Sequence, residues 1–264
     1  MEASSPGNVR LSAVQPRYQA ADAVTRLGLL ALSSDLTSER DYARVLPADT
    51  VAFYTSRVPF DNPTTPESLA KMAPRLTQAA RLLPDDQPLA AICYSCTAAS
   101  VVIGDQLRSD AVQQVWPGVP VVLPSSSAVL ALQALGAQRI SVVTPYTQAT
   151  SEPMADYFQT QGLDIRCFEC LGVENDWMMA RITPESIIEA ACQADRPDSE
   201  ALFLSCTALP ALGVIAELEQ RLGKPVVSSN QATLWAMLQH SGIDYQPQGY
   251  GQLFQHALPT LVQE

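Results

Sequence analysis

The sequence predicts an α/β fold made of two pseudo-symmetric, open parallel-sheet (Rossmann-like) lobes, with an active site in the cleft between them. Three observations predict it. The chain repeats itself at an offset on the order of 105–111 residues. Its strand candidates are short unbroken apolar runs, the pattern of parallel strands covered on both faces. Those runs end in polar or small residues, at the sheet edge where open α/β folds bind ligands.

The elements follow in order. Residues 1–24 lack periodicity and read as an extended arm, packed on a neighbour or loose. TRLGLLALSSDLTSE, from Thr25, is an apolar strand ending in Ser33-Ser34-Asp35, then a helix start at LTSERDY. QAARLLPDD is a lead-in helix to LAAICYSCTAAS, a strand from Leu89 that ends at Cys96-Thr97 before small residues leading into a helix. GVPVVLPSSSAVLALQALG supplies the strand PVVLP, Ser125-Ser126-Ser127 at its end, and a helix with Val129, Leu130, Leu132 and Leu135 at helical spacing.

The second copy runs in the same order. AQRISVVTPYTQATSE carries the strand SVVT and ends in Thr144-Pro145-Tyr146. EAACQADRPD leads into ALFLSCTALPAL, where the strand ALFL ends at Cys206-Thr207 and a helix is expected next. GKPVVSSNQATLWAMLQHSG closes the repeat, with Ser228-Ser229-Asn230 at a strand end and Leu234, Trp235 and Leu238 on a helix. The expected division is residues 1–125 plus 231–264 in the first lobe and 126–230 in the second.

Composition narrows the chemistry. Apolar residues make up 47% of 264, evenly spread, as in a globular protein. The net charge is −11 with no basic block, so nucleic acid is not an expected partner. No apolar run reaches the roughly 18–20 residues of a membrane span, and MEASSPGNVR has no signal-peptide core, so a cytoplasmic protein is expected. A homo-oligomer, dimer or tetramer, is also expected. Six cysteines then read as reduced thiols. Only two histidines occur, His240 and His256, so proton transfer falls to Cys, Asp, Glu or Tyr. The serine-hydrolase, P-loop and dinucleotide fingerprints are missing.

Two CxxC spacings, Cys93/Cys96 and Cys167/Cys170, raise zinc and redox readings. Both pairs lie in strand-like runs, where residues three apart point to opposite faces and cannot share an ion. A thioredoxin-type pair would open a helix instead. Cys93, Cys167, Cys170 and Cys192 therefore read as buried small hydrophobes. Cys96 and Cys206 differ, because each ends a strand, precedes Thr and occupies the same place in the repeat. A thiol near a helix N-terminus has its thiolate stabilised, and exposed amides there suit a carboxylate. Thr97 and Thr207 can cap the helices or donate to a ligand. Two thiols on opposite sides of a bound carboxylate can act on opposite faces of its α-carbon, without cofactor or metal.

At these residues the sequence resembles the aspartate/glutamate racemase superfamily, from Arg26 to Phe254. The likeness is greater to its maleate cis-trans isomerase and arylmalonate decarboxylase branch. LGLLALSSDLTSE looks like that branch's first strand and loop, TPYTQ its tyrosine loop, LGVENDWMMARITPESI its segment before the second cysteine, and GYGQLF its C-terminal glycine motif. The resemblance implies Cys96 and Cys206 as catalytic thiols. It implies Thr97, Tyr146, Asn175 and Thr207 as substrate-binding, and a small carboxylate or amino-acid derivative as substrate; Ser34 and Asp35, at the polar end of the first strand, are further substrate-binding candidates. From the residues alone, Tyr146 reads equally as a packing residue and Asn175 as a turn.

Departures from the pattern matter too. The decarboxylases keep only the second cysteine, so Cys96 argues against decarboxylation. Maleate isomerases follow the first cysteine with bulky apolar residues, where this chain has Thr97-Ala98-Ala99. They also carry Asn in the first loop, where this chain has Asp35. An acidic side chain repels a dicarboxylate and attracts an ammonium or amide N–H, though Asp35 also suits a helix cap. SSDLTSERDY with YSCTAASVVIG looks most like the ectoine-utilisation protein A group. The function implied is a cofactor-independent racemase or isomerase acting α to a carboxylate. Maleate-type isomerisation, decarboxylation through Cys206 alone, and ligand binding without turnover stand as alternatives.

Overall fold

A computed structural model describes residues 11–259, apart from the side chains of 105–108. The first half runs β1 (Thr25–Leu32), α1 (Ser38–Val45), β2 (Val51–Val58), α2 (Pro66–Ala70), α3 (Ala73–Ala80), β3 (Ala91–Ser95), α4 (Thr97–Ile103), α5 (Asp105–Gln113) and β4 (Val121–Val122). After α6 (Pro124–Ala134) come β5 (Arg139–Thr144), α7 (Gln148–Thr160), β6 (Asp164–Cys170), α8 (Asp176–Met179), α9 (Pro184–Ala194), β7 (Ala201–Leu204), α10 (Ile215–Leu222), β8 (Val226–Ser228) and α11 (Ser229–His240).

The strands form two four-stranded parallel sheets with one topology, β2-β1-β3-β4 and β6-β5-β7-β8. This is the repeat made visible. In each sheet the chain steps outward to one side and then returns to the other, so a switch point falls between β1 and β3 and again between β5 and β7. Both cysteine motifs and the Ser34 and Tyr146 loops leave the sheets there. Leu27, Leu29, Leu30 and Leu32 are all buried along β1, as a strand covered on both faces requires. Phe203 of β7 meets Phe158 of α7 edge-on, with ring centroids 5.4 Å apart.

Two helices tie the sheets together. α6 leaves β4 yet packs on α11 and touches β8, while α11 leaves β8 and packs on β3 and β4. Trp235 of α11 is fully buried, and its indole N–H donates to His256 O at 2.8 Å, anchoring the C-terminal segment. No helix among the described residues is long and apolar enough to cross a membrane.

Several expectations need correction. No helix follows Cys206 directly: residues 205–211 are irregular, a 3-10 turn spans Leu212–Val214, and α10 starts at Ile215. Cys206 has φ 138, outside any helical region, and Pro210 lacks the N–H a helix would use. Ser125, Ser126 and Ser127 do not end a strand either. β4 stops at Val122 and α6 begins at Pro124, a residue preorganised for a first turn, so the serines are helical. Of the four cysteines read as buried, only Cys93 is; Cys167 and Cys170 are half-buried on the edge strand β6, and Cys192 is exposed on α9. The arm expected over 1–24 lies partly outside the described residues, and 11–23 contain no helix or strand and are exposed. The strand VAFYTSRV (β2), not singled out from sequence, fills the edge beside β1.

Candidate active site

The carboxyl ends of the two sheets meet through hydrogen bonds that cross between them. Thr207 Oγ1 donates to Ser95 O at 3.3 Å, Thr37 Oγ1 to Ala208 O at 2.7 Å, and Ser34 Oγ to Asp176 Oδ2 at 2.6 Å. Asn62 Oδ1 accepts from Asp176 N at 3.0 Å, and Glu174 O accepts from Thr64 N at 2.8 Å. Between these seams lie the two repeat cysteines and Tyr146.

Cys96 is the N-cap of α4, and its sulfur accepts the Ala99 N–H at 3.4 Å. Cys206 sits in the irregular loop after β7; its sulfur accepts Ala208 N–H at 3.3 Å, and its own N–H donates to Ser229 Oγ at 3.0 Å. The Tyr146 hydroxyl pairs with the Cys206 thiol and also lies near Cys96. Cys96, Cys206 and Tyr146 are 4%, 2% and 2% exposed, so this centre is closed to solvent.

Burial above all pushes the Cys206 thiol up, the Asp176 charge adds to this, and Tyr146 partly offsets it. The same desolvation, reinforced by the two thiols, holds the Tyr146 phenol neutral. The buried Cys206 thiol is therefore held in its protonated form. The positive φ of Cys206 costs about 1–3 kcal/mol for a non-glycine residue, a strain that persists only where surrounding structure enforces it.

The other expected residues are distributed around this centre. Thr97 is the first helical residue of α4 and no cap, and its hydroxyl donates to Ser229 Oγ at 2.9 Å. Thr207 precedes no helix and caps none. Asn175 is half-buried, and its side-chain oxygen accepts Trp177 N–H as the N-cap of α8. Asp35 Oδ1 accepts the N–H groups of Thr37 (2.8 Å) and Ser38 (2.9 Å) at the entry to α1, while its buried Oδ2 has no protein partner.

Sequence reasoning missed Asp176, one residue beyond Asn175. It is 4% exposed, held by Ser34, and close enough to Cys206 and Tyr146 to bias both thiol and phenol. Its pKa rises to about 6, chiefly through burial, with the Asp35 charge adding to the shift. The signal available was the polar insert GVENDW, in which an acid stands beside the asparagine that was named. Asn230 was also passed over as a site residue; its amide donates to Asp41 Oδ2 (2.8 Å) and Thr207 O (3.0 Å), bracing the Cys206 loop against α1. Cys93 lies apart from this centre, beside Tyr42, with its thiol pushed up to about 12 by burial. No group of three or more metal-ligating side chains occurs among the described residues.

Twin parallel sheets with paired thiols at their switch points define a class of enzyme fold, and comparison places the chain within it. The protein belongs to the arylmalonate decarboxylase family, whose sequence profile matches residues 43–254. It is 29% identical over 241 residues to a maleate isomerase of Nocardia farcinica, covering 87% of this chain and 95% of that one. An arylmalonate decarboxylase of Bordetella bronchiseptica is 34% identical over 141 residues, 52% of this chain and 58% of that enzyme. Among solved structures, a cysteine-to-serine mutant of Nocardia farcinica maleate cis-trans isomerase with a covalently bound succinylcysteine intermediate superposes with a TM-score of 0.82. Its sequence identity is 26%, covering 88% of this chain and 98% of that one.

Proposed function

We propose that the protein is a cofactor-independent isomerase of the racemase or epimerase kind. It acts at the carbon α to a carboxylate of a small acid or amino-acid derivative, with Cys96 and Cys206 as opposed base and acid. The observation that carries this reading is the pairing of both thiols around Tyr146 at the two symmetric switch points. Cys96, at the start of α4 with an amide N–H on its sulfur, is the base. Cys206, whose thiol is kept protonated by burial, returns a proton to the opposite face, and Tyr146 steadies the thiolate it leaves. Thr97, Thr207 and Asn175 orient the substrate after the closed-state hydrogen bonds give way to it.

A second reading has its own support. The Nocardia farcinica relative carries a succinylcysteine, so one thiol here could add covalently to an alkene, with the other managing the proton. Decarboxylation through Cys206 alone fits less well, because it leaves Cys96 without a task. The Asp35 loop together with Cys96-Thr97 supports placement in the ectoine-utilisation protein A group.

The test incubates chiral carboxylates and amino-acid derivatives in D2O with wild type, Cys96→Ser and Cys206→Ser, following the α-proton by NMR. Exchange lost in both variants supports the two-thiol pair. Exchange that survives Cys96→Ser would sink it.

A further inference from the structure

The electrostatics of the closed site do not balance for an anionic substrate. Two carboxylates, Asp35 and Asp176, lie buried on facing loops, joined through Ser34, which precedes Asp35 and donates to Asp176. The repulsion between them is felt at Asp176. The nearby cation offsets this only in part: the Arg57 charge favours the Asp35 carboxylate, but its nitrogens donate to the backbone oxygens of Leu32 (3.0 Å) and Asp35 (2.9 Å) and pair with Glu39. Asp35 Oδ1 is used by α1, whereas Oδ2 is buried and has no protein donor. A buried, unpaired carboxylate oxygen is costly unless something donates to it. Asp41, buried on α1, is a third acid coupled to Asp35. A substrate carboxylate adds to the negative charge already held in this desolvated space, and a dicarboxylate adds twice.

We propose that Asp35 and Asp176 together hold a protonated nitrogen of the substrate, so that the site takes small zwitterions and disfavours dicarboxylates. The nitrogen donates to Asp35 Oδ2 and offsets one of the pair's two charges, while the substrate carboxylate is met by neutral hydroxyls and backbone N–H groups near the thiols. This rests on the reading of the Cys96–Cys206 cleft as the substrate site and names the class of substrate it accepts. It also accounts for an acid in the first loop. A neutral side chain there would cap α1 equally well, so capping alone does not require the charge.

The opposing possibility is that both acids stay protonated and donate to a substrate carboxylate. Matched ligands separate the two. Binding is measured calorimetrically at pH 8 for ω-amino acids with two, three or four methylenes, and for the diacid and the methyl-terminated acid of each length. Wild type should prefer the amino acid over the diacid by on the order of tenfold or more at one length at least. Asp35→Asn and Asp176→Asn keep the acceptors used by α1 and Ser34, and each should erase most of that preference. A diacid bound as tightly as the amino acid at every length, or no binding by any of them, overturns the proposal. So does a preference untouched in both variants. The readout needs no turnover. A protein that prefers the amino acids yet exchanges no α-proton would sink the two-thiol chemistry and leave this inference standing. Exchange confined to dicarboxylates would do the reverse.

Discussion

Replacing Asp176 by asparagine should make the ligand-free protein more stable, by an amount that depends on pH. In the folded chain Asp176 ionises at about 6 instead of the usual 3.8, because burial and the Asp35 charge both disfavour its carboxylate and Ser34 compensates only in part. Below both values the acid is neutral in folded and unfolded chains, and the substitution is silent. Between them the folded wild type retains a proton that the unfolded chain has lost, so its stability falls as pH rises. Above about 6 the whole cost stands. The shift corresponds to a gain for Asp176→Asn of about 1 kcal/mol at pH 4.5, growing to about 3 kcal/mol at pH 8. Urea denaturation of both proteins across that range, fitted as two-state transitions with equal slopes, reads it directly. A variant less stable than wild type at pH 8, or a difference that does not change with pH, would refute the reasoning.

Two further substitutions probe the backbone around the site. At Cys206, with φ 138, glycine should be more stable than alanine by roughly 1 kcal/mol, the reverse of the usual order. Thermal melts of the two variants check this, and a higher melting temperature for alanine would remove strain from the account. Gly251→Ala should cost about 2 kcal/mol or more, since φ is 82 and the new Cβ would lie 2.5 Å from Ile215 Cγ2. Gly28→Ala meets only side-chain atoms of Ile92, Leu83 and Leu89 at 3.0 Å and should be the milder change. Equal losses for the two would show that the Gly251 turn yields.

Much of the architecture was legible because it is written twice. A single apolar run such as ALFL is ambiguous between strand and buried helix, but its match to the run before Cys96 supplies a second reading of the same unit. In the repeat Cys96 aligns with Cys206, whereas the place of Cys93 is taken by Phe203. What it could not reveal is where the copies differ. SCTA occurs in both, yet Cys96 starts a helix and Cys206 does not, because backbone conformation at the second copy is imposed by Ser229, Asn230 and Pro210 around it. β2 escaped notice because its exposed edge mixes polar and apolar residues and breaks the continuous pattern of the buried strands.

The sequence by itself determined the parallel-sheet class and the symmetric placement of two thiols, because these depend on period and order along the chain. Tertiary structure alone brought a second acid, Asp176, close to Asp35. Asp35 and Asp176 are far apart in sequence, and Asp176 differs from its neighbour Asn175 only in facing inward from the first turn of α8, whereas Asn175 caps it. A one-residue change of direction at a helix start carries no periodic signal, and it is the Ser34 bond from the facing loop that holds Asp176 inward.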